Sequence, residues 1–236
     1  MFTQKDIINY LKKDKIKNIN MINFIENYPI HYIERFKDSV VAKGKSDETW
    51  VYLSSSSQEE LKILLERCKE DKFFVVTEDW MLPIVLEDKE MEWRLSCMKL
   101  VFPENKELPQ WKYDIKKLKS RDAEYIFHNS KYKDYTSIEY ITYRIENGVA
   151  LGIYEGEKII AWLMTHDDGA MGFLNVLPEY RKKGYGYDLT ISMISNLRRF
   201  NELPFVHIEE DNYKSMSLAL KAGFVRVGKI HWIKIK

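Results

Sequence analysis

Cysteine is scarce. The 236 residues hold two, Cys68 and Cys97, too few for a disulfide framework and without metal-ligand spacing. An excess of one charge is missing too. Lys plus Arg number 37 and Asp plus Glu 36, which leaves +1. Residues 1–118 carry −1 and the remainder +2, so there is no charged tail. That balance argues against nucleic-acid binding through a broad basic surface. No apolar run reaches the roughly 18 residues of a membrane span. The opening MFTQKDIINYLKKDK mixes Lys with Asp and lacks the apolar core of a signal peptide. Low-complexity tracts and short internal repeats are absent. A soluble cytoplasmic protein is expected, monomeric or homodimeric, with no metal and no nucleic-acid or membrane partner.

What is present suits a folded core. Hydrophobic residues make up 45% of the chain and aromatics 14%, enough apolar surface to offset the ordering of a chain this long. The clearest seam is Val101-Phe-Pro-Glu-Asn-Lys-Glu-Leu-Pro-Gln110, where Pro103 and Pro109 disfavour a continuous helix or central strand. It divides the chain into an N-terminal α/β domain, 1–105, and a second domain, 111–236.

Before the seam, Ile8, Leu11 and Ile16 suit an amphipathic helix, and Asn20 suits the cap of a second helix that ends before Pro29. Residues 50–54 read as a strand. Ser57 and Glu60 form a capping box for a helix with Leu61, Leu64, Leu65 and Cys68 on one face. Residues 73–76 and 93–102 read as strands. Asp79-Trp-Met-Leu-Pro83 reads as a capped helix start or a packed turn. Cys68, on an apolar face, reads as an inert thiol.

After the seam the expected order is strand 111–118, helix 120–129, helix 137–147, strand 150–154, a turn through Gly156, strand 159–165, a turn at His166-Asp-Asp-Gly169, strand 171–177, helix 186–200, strand 205–208, helix 213–222 and strand 224–236. Three consecutive hairpin strands followed by alternating α and β elements imply a mixed, mostly antiparallel sheet flanked by helices.

One segment carries chemistry: Val176-Leu-Pro-Glu-Tyr-Arg-Lys-Lys-Gly-Tyr-Gly186. A strand ends, a proline breaks the ladder, and two glycines open a helix. Such a turn exposes backbone N–H groups at a helix N-terminus, which carries roughly +0.5 charge and seats an anion. Arg181, Lys182 and Lys183 add cations, and a pyrophosphate is the kind of ligand that uses both. The spacing is neither that of a P-loop nor that of a dinucleotide fingerprint.

Arg181-x-x-Gly184-x-Gly186, after a strand and Val-x-Pro, resembles the acyl-CoA-binding signature of the GNAT superfamily of N-acyltransferases. Asn212-x-x-Ser215-x-x-Leu218 followed by Gly223-Phe224 resembles the second block of that family. Ala161-Trp162 through Leu177-Pro-Glu-Tyr-Arg181 looks most like the glycine N-acyltransferase branch, in which a degenerate half of the same fold precedes the catalytic half. The resemblance covers about half the chain. It implies a GNAT-like α+β fold, with acetyl-CoA or another acyl-CoA as cosubstrate. The acceptor would be a primary amine of a small molecule, amino acid or peptide, acylated by direct attack in a ternary complex. It further implies that the sheet splays beside the strand ending at Leu177. Backbone groups of Asn175, Val176 and Leu177 would pair with the pantetheine arm, and those from Arg181 through Tyr185 to Gly186 would hold the pyrophosphate. Asn212 and Ser215 would contact pantetheine or phosphate, and Lys182 or Lys183 the ribose phosphate.

The chemistry also needs a base, because an ammonium with a pKa near 10 must lose a proton before it attacks. His207 is the ionisable residue inside an apolar strand. Glu209 shares its face, and Asp168, two residues before Ala170, would share the face of Ala170 if the strand before Val-x-Pro extends that far. The family's frequent carboxylate position is Ala170 here and its usual tyrosine is Ala219. Tyr185, Tyr187 and Tyr213 remain as alternative acids. The missing groups also admit a catalytically inactive CoA-binding regulatory or scaffold module.

Overall fold

The computed structural model describes residues 2–130, 133 and 136–236. The chain forms two compact units. The first comprises 1–99, 208–211 and 226–236, and the second comprises 100–207 and 212–225. The last strand of the chain is therefore counted with the first unit, whereas the sequence reading keeps 111–236 together.

In the first unit, Thr3 and Asp6 exchange hydrogen bonds to start α1 (Gln4–Leu11). Asp14 accepts from the Lys17 N–H to start α2 (Lys15–Asn27). Asn20, expected as that cap, is instead buried within the helix, and Ile16 is exposed. Asp14 offers its acceptor earlier in the chain, so the helix starts there. Two strands that no sequence signal marked follow, β1 (Ile30–Phe36) and β2 (Ser39–Lys45). β1 carries His31, Glu34 and Arg35 and lies at a sheet edge, where charge is tolerated. Then come β3 (Thr49–Ser54), α3 (Gln58–Leu65), β4 (Phe73–Val76), α4 (Leu82–Val85) and β5 (Met91–Val101).

The chain's final strand, β11 (Val225–Ile235), enters this sheet, giving the order β1-β2-β3-β4-β11-β5. It runs antiparallel to β4 from His231↔Val76 to Lys234↔Phe73. Period-2 alternation sorts the sheet's two faces. Ala42, Tyr52, Val75 and Ile230 pack with Leu11, Ile22 and Phe24 of the first two helices. Val41, Leu53, Phe74 and Ile233 pack with Leu61, Leu64 and Cys68 on the other side.

The second unit contains β6 (Lys116–Lys117), α5 (Ala123–His128), α6 (Ile138–Asn147), β7 (Ala150–Glu155), β8 (Lys158–Thr165), β9 (Met171–Val176), α7 (Tyr185–Arg199), β10 (Phe205–Glu209) and α8 (Tyr213–Ala222). Its strands run in the order β10-β9-β8-β7-β6, and β10 passes into the first unit after His207. The strand expected over 111–118 shrinks to two residues, because 112–113 are held by α7 instead. Buried Leu189, Met193, Ile194 and Leu197 fix α7, which contacts β7, β8 and β9.

The two units repeat one plan. Each has two helices, three antiparallel strands, a helix, a strand parallel to the third, and a helix. The joins β1–β2 and β2–β3 are antiparallel and β3–β4 is parallel. The same holds for β7–β8, β8–β9 and β9–β10.

Candidate active site

The site begins where β9 loses its neighbour. Among the described residues β10 shares one register pair with β9, Val206↔Met171. β8 stays paired to β9 as far as Val176. The parallel strands therefore part after Met171, and one edge of β9 is left open. The β8–β9 register slips between Trp162 and Met164, and Phe173 adopts a left-handed φ of 57°. This is a bulge, which re-aims main-chain groups of the bulged strand. Gly172 makes room there, since a Cβ at that position would lie 1.9 Å from His166 Nε2.

Three backbone contacts were expected at the end of β9, and the structure divides them. The Leu177 N–H donates to the Ile160 carbonyl at 3.0 Å, and the Leu177 carbonyl accepts from Tyr180 at 2.9 Å. Leu177 is thus engaged within the protein. Asn175 pairs with Trp162 of β8. Alternation turns the Val176 N–H to the other side, toward the open edge. The Val176 carbonyl accepts from Arg181 Nε at 3.0 Å.

The loop beyond β9 turns through Lys182 (φ 61°) and Gly184 (φ 94°) into α7. Glycine at 184 takes this φ without the strain that a side chain would bring. No side chain caps the helix. The Arg181 N–H donates to Pro178 at 3.3 Å, and the first helical bond runs from Asp188 N–H to Gly184. Between them, the amides of Lys182 to Tyr187 have no partner among the described residues, a run that starts one residue after the expected Arg181. Arg181, Lys182, Lys183 and Gly184 are exposed, and Tyr185 and Gly186 half-buried. A Cβ built on Gly186 would make only ordinary contacts, 3.6 Å to Leu218 and 3.7 Å to Val176. The residues present fit the diphosphate and arm of an acyl carrier.

Asn212 does not stand free beside this seat. Its Oδ1 accepts from the Ser215 N–H at 3.2 Å and caps α8. Ala219 is buried and Tyr213 exposed, with Tyr185 and Tyr187 half-buried.

Of the three candidate bases, two come together. His207 Nδ1 lies 3.6 Å from Asp168 Oδ2, with 9% of each side chain exposed. Asp168 Oδ1 accepts from the Ala170 N–H at 3.0 Å, which orients the carboxylate. Asp168 sits in the turn before β9 rather than on an extended strand. Glu209 is half-buried near the end of β10.

Two residues were not foreseen. His166 packs on Phe173 with ring centroids 4.8 Å apart, and burial holds its imidazole below the ordinary value against the pull of Asp168. Tyr140 Oη lies 3.4 Å from Asp167, and burial raises its phenol well above the usual range. Behind them buried Arg144 donates through Nε to the Thr165 carbonyl at 3.0 Å. The sequence signalled only a turn at 166–169, and the bulge that gathers these rings has no marker beyond Gly172.

Fold and open-edged sheet define a class: the chain has the fold of the GNAT acetyltransferases. The family described as FR47-like protein matches residues 150–233. A Drosophila protein known from X-ray crystallography superposes with a TM-score of 0.76 at 18% identity, covering 100% of this chain and 97% of its own. A GNAT-family acetyltransferase from Colwellia psychrerythraea gives 0.59 at 13% identity, covering 100% and 98%. A tandem GNAT protein of the clavulanic acid biosynthesis pathway gives 0.52 at 11% identity, covering 92% and 87%. No curated protein matches the sequence. Among the described residues no helix is long and apolar enough to cross a membrane, and no cluster of three or more His, Cys, Asp or Glu suits a metal ion.

Proposed function

We propose that the protein is an acyl-CoA-dependent N-acyltransferase that moves an acetyl or other short acyl group to a primary amine of a small molecule, amino acid or peptide. The observation that carries this is the run of unpartnered amides from Lys182 to Tyr187 beside the open edge of β9. An anion fits the first feature and an extended amide-bearing arm fits the second.

In this reading the loop amides hold the diphosphate. The Val176 N–H pairs with the arm, and Asn212 and Ser215 flank it from α8. The acceptor enters beside Tyr140, His166 and Phe173. His207, oriented by Asp168, takes the proton of the ammonium. The freed nitrogen attacks the thioester carbon, forming the C–N bond, and the oxyanion is met by main-chain N–H groups of the bulged strand. An aimed donor of this kind contributes about 2.7–4 kcal/mol to the transition state. The C–S bond then breaks, and CoA leaves as a thiolate that takes up a proton. With Ala at position 219, the departing sulfur relies on water or a neighbouring tyrosine.

The resemblance of 161–181 supports membership of the glycine N-acyltransferase-like branch. The repeated plan of the two units supports reading the first as a degenerate half of the same fold. Acyl-CoA and free thiols both suit the cytoplasm, where we place the protein, as a monomer or homodimer.

Calorimetry with acetyl-CoA, coupled to thiol release over a panel of amines, tests the reading. Binding below millimolar and amine-dependent release are expected; no binding at millimolar concentration rejects it. Gly184→Glu should abolish binding with the fold intact. Gly184→Ala carries only the backbone strain, about 1 kcal/mol, and separates strain from charge.

A further inference from the structure

The anion seat has a wall that lies outside the sequence motif. Residues 112 and 113, about seventy positions before the loop, cross the start of α7. The N–H groups of Lys112 and Tyr113 both donate to Asp188 Oδ2, at 2.9 and 3.3 Å. Tyr113 Oη donates to the Lys183 carbonyl at 2.6 Å. The Tyr113 ring lies 4.2 Å from that of Tyr185. This strap takes a carboxylate and a carbonyl and none of the loop amides, so it borders the seat without filling it.

Two consequences follow from the charges. Asp188 is buried in the first turn of α7, where its negative charge opposes the binding of a second anion. Two main-chain donors aimed at its carboxylate offset that charge. The strap also brings a cation. Lys112 Cε lies 4.0 Å, and Tyr113 Cε2 3.9 Å, from the Cβ position of Gly184. Lys112 Nζ rests over the Tyr113 ring, 4.6 Å from its centroid, which keeps the ammonium at this edge.

We propose that Lys112 binds the diphosphate of the acyl carrier and that Asp188, through the strap, is the positioning residue that places it there. This rests on the proposed function of the same site. Lys112→Ala should weaken CoA about five-fold, the size of a solvent-exposed charge contact. The loss should be equal with 3′-dephospho-CoA, because Gly184 marks the diphosphate seat, and absent with acetyl-pantetheine, which has no nucleotide. Asp188→Asn should weaken CoA without affecting acetyl-pantetheine, and Lys112→Ala in the Asp188→Asn background should add less than it does alone. Tyr113→Phe, which keeps the ring and removes the bond to Lys183, serves as a milder variant should Asp188→Asn fail to fold.

Unchanged CoA affinity in Lys112→Ala, while Gly184→Glu loses it, overturns the proposal and leaves the acyltransferase reading standing. A loss that disappears with dephospho-CoA moves Lys112 to the ribose phosphate and likewise overturns it. Failure of the wild-type protein to bind CoA removes the reading on which both rest.

Discussion

At the scale of single residues, the His207–Asp168 pair is the part of the site with the most direct consequence. Both side chains are largely buried and 3.6 Å apart, so each restricts the orientation of the other. His207→Asn should lower kcat by about 100-fold or more, the usual loss of a general base, with acetyl-CoA affinity unchanged by calorimetry. An equal kcat would exclude His207 as the base. Cys68 illustrates the opposite case. It is fully buried, and burial pushes its thiol up to about 11. The native protein should therefore leave Cys68 unlabelled by a disulfide reagent at pH 8 and release it only in denaturant; rapid labelling without denaturant would contradict its placement on the inner face of the helix.

At the scale of elements, the two strand-to-helix turns make an internal comparison. In the second unit the turn into α7 is uncapped. In the first unit Ser57 accepts from the Glu60 N–H at 3.2 Å to cap α3. Glu60 turns away from the return bond expected of a capping box and accepts instead from Ser39 Oγ at 2.6 Å and the Asp38 N–H at 3.2 Å. A carboxylate occupies the end of α3, and β3 and β4 stay paired over four register positions, Trp50↔Phe73 to Leu53↔Val76. No gap opens for an arm there. Titration should accordingly give one CoA per chain, and two equivalent sites would refute the contrast. The same helix also carries the first unit's packing. Leu61→Ala should cost about 2–5 kcal/mol in a urea melt, because Leu61 is inaccessible and its neighbours are the inner residues of the sheet.

At the scale of the molecule, the first unit depends on the far end of the sequence. Residues 226–236 supply a strand between β4 and β5. A chain ending at Val225 should lose the cooperative unfolding of the first unit, seen as an early loss of amide protection in 40–76. Full protection would show that the sheet closes without β11. On β11, His231 meets Asp79 at 2.9 Å and Ser96 at 2.8 Å, and burial holds its imidazole below the ordinary 6.5 in spite of Asp79. The folded state then binds that proton less readily than the unfolded chain. Stability should be full above about pH 6.5 and fall as the pH drops below it. His166 acts in the same direction in the second unit. Urea midpoints at pH 7.5 and 5.5 measure the fall. His231→Gln should reduce it, and an unaltered slope would assign the effect elsewhere.

The sequence by itself determined the local elements whose signals are short-ranged. The turn at Gly156, the helix behind Ser137, the helix between Asn212 and Gly223 and the glycine-bearing loop at 181–186 all follow from caps, glycines and periodicity within one or two turns of chain. β1 has no clear signal because an edge strand carries charge and shows little alternation, and β2, paired on both sides, has none because it is buried on both faces and does not alternate. Tertiary structure alone decided three things. It put His207 beside Asp168, bent β9 at Phe173 so that His166 meets it, and laid Lys112 and Tyr113 across the start of α7. The physical reason is common to them: each depends on where strands diverge or a buried carboxylate finds donors, and those are properties of packing between segments that lie 39 to 76 residues apart in the chain or that share a bulge.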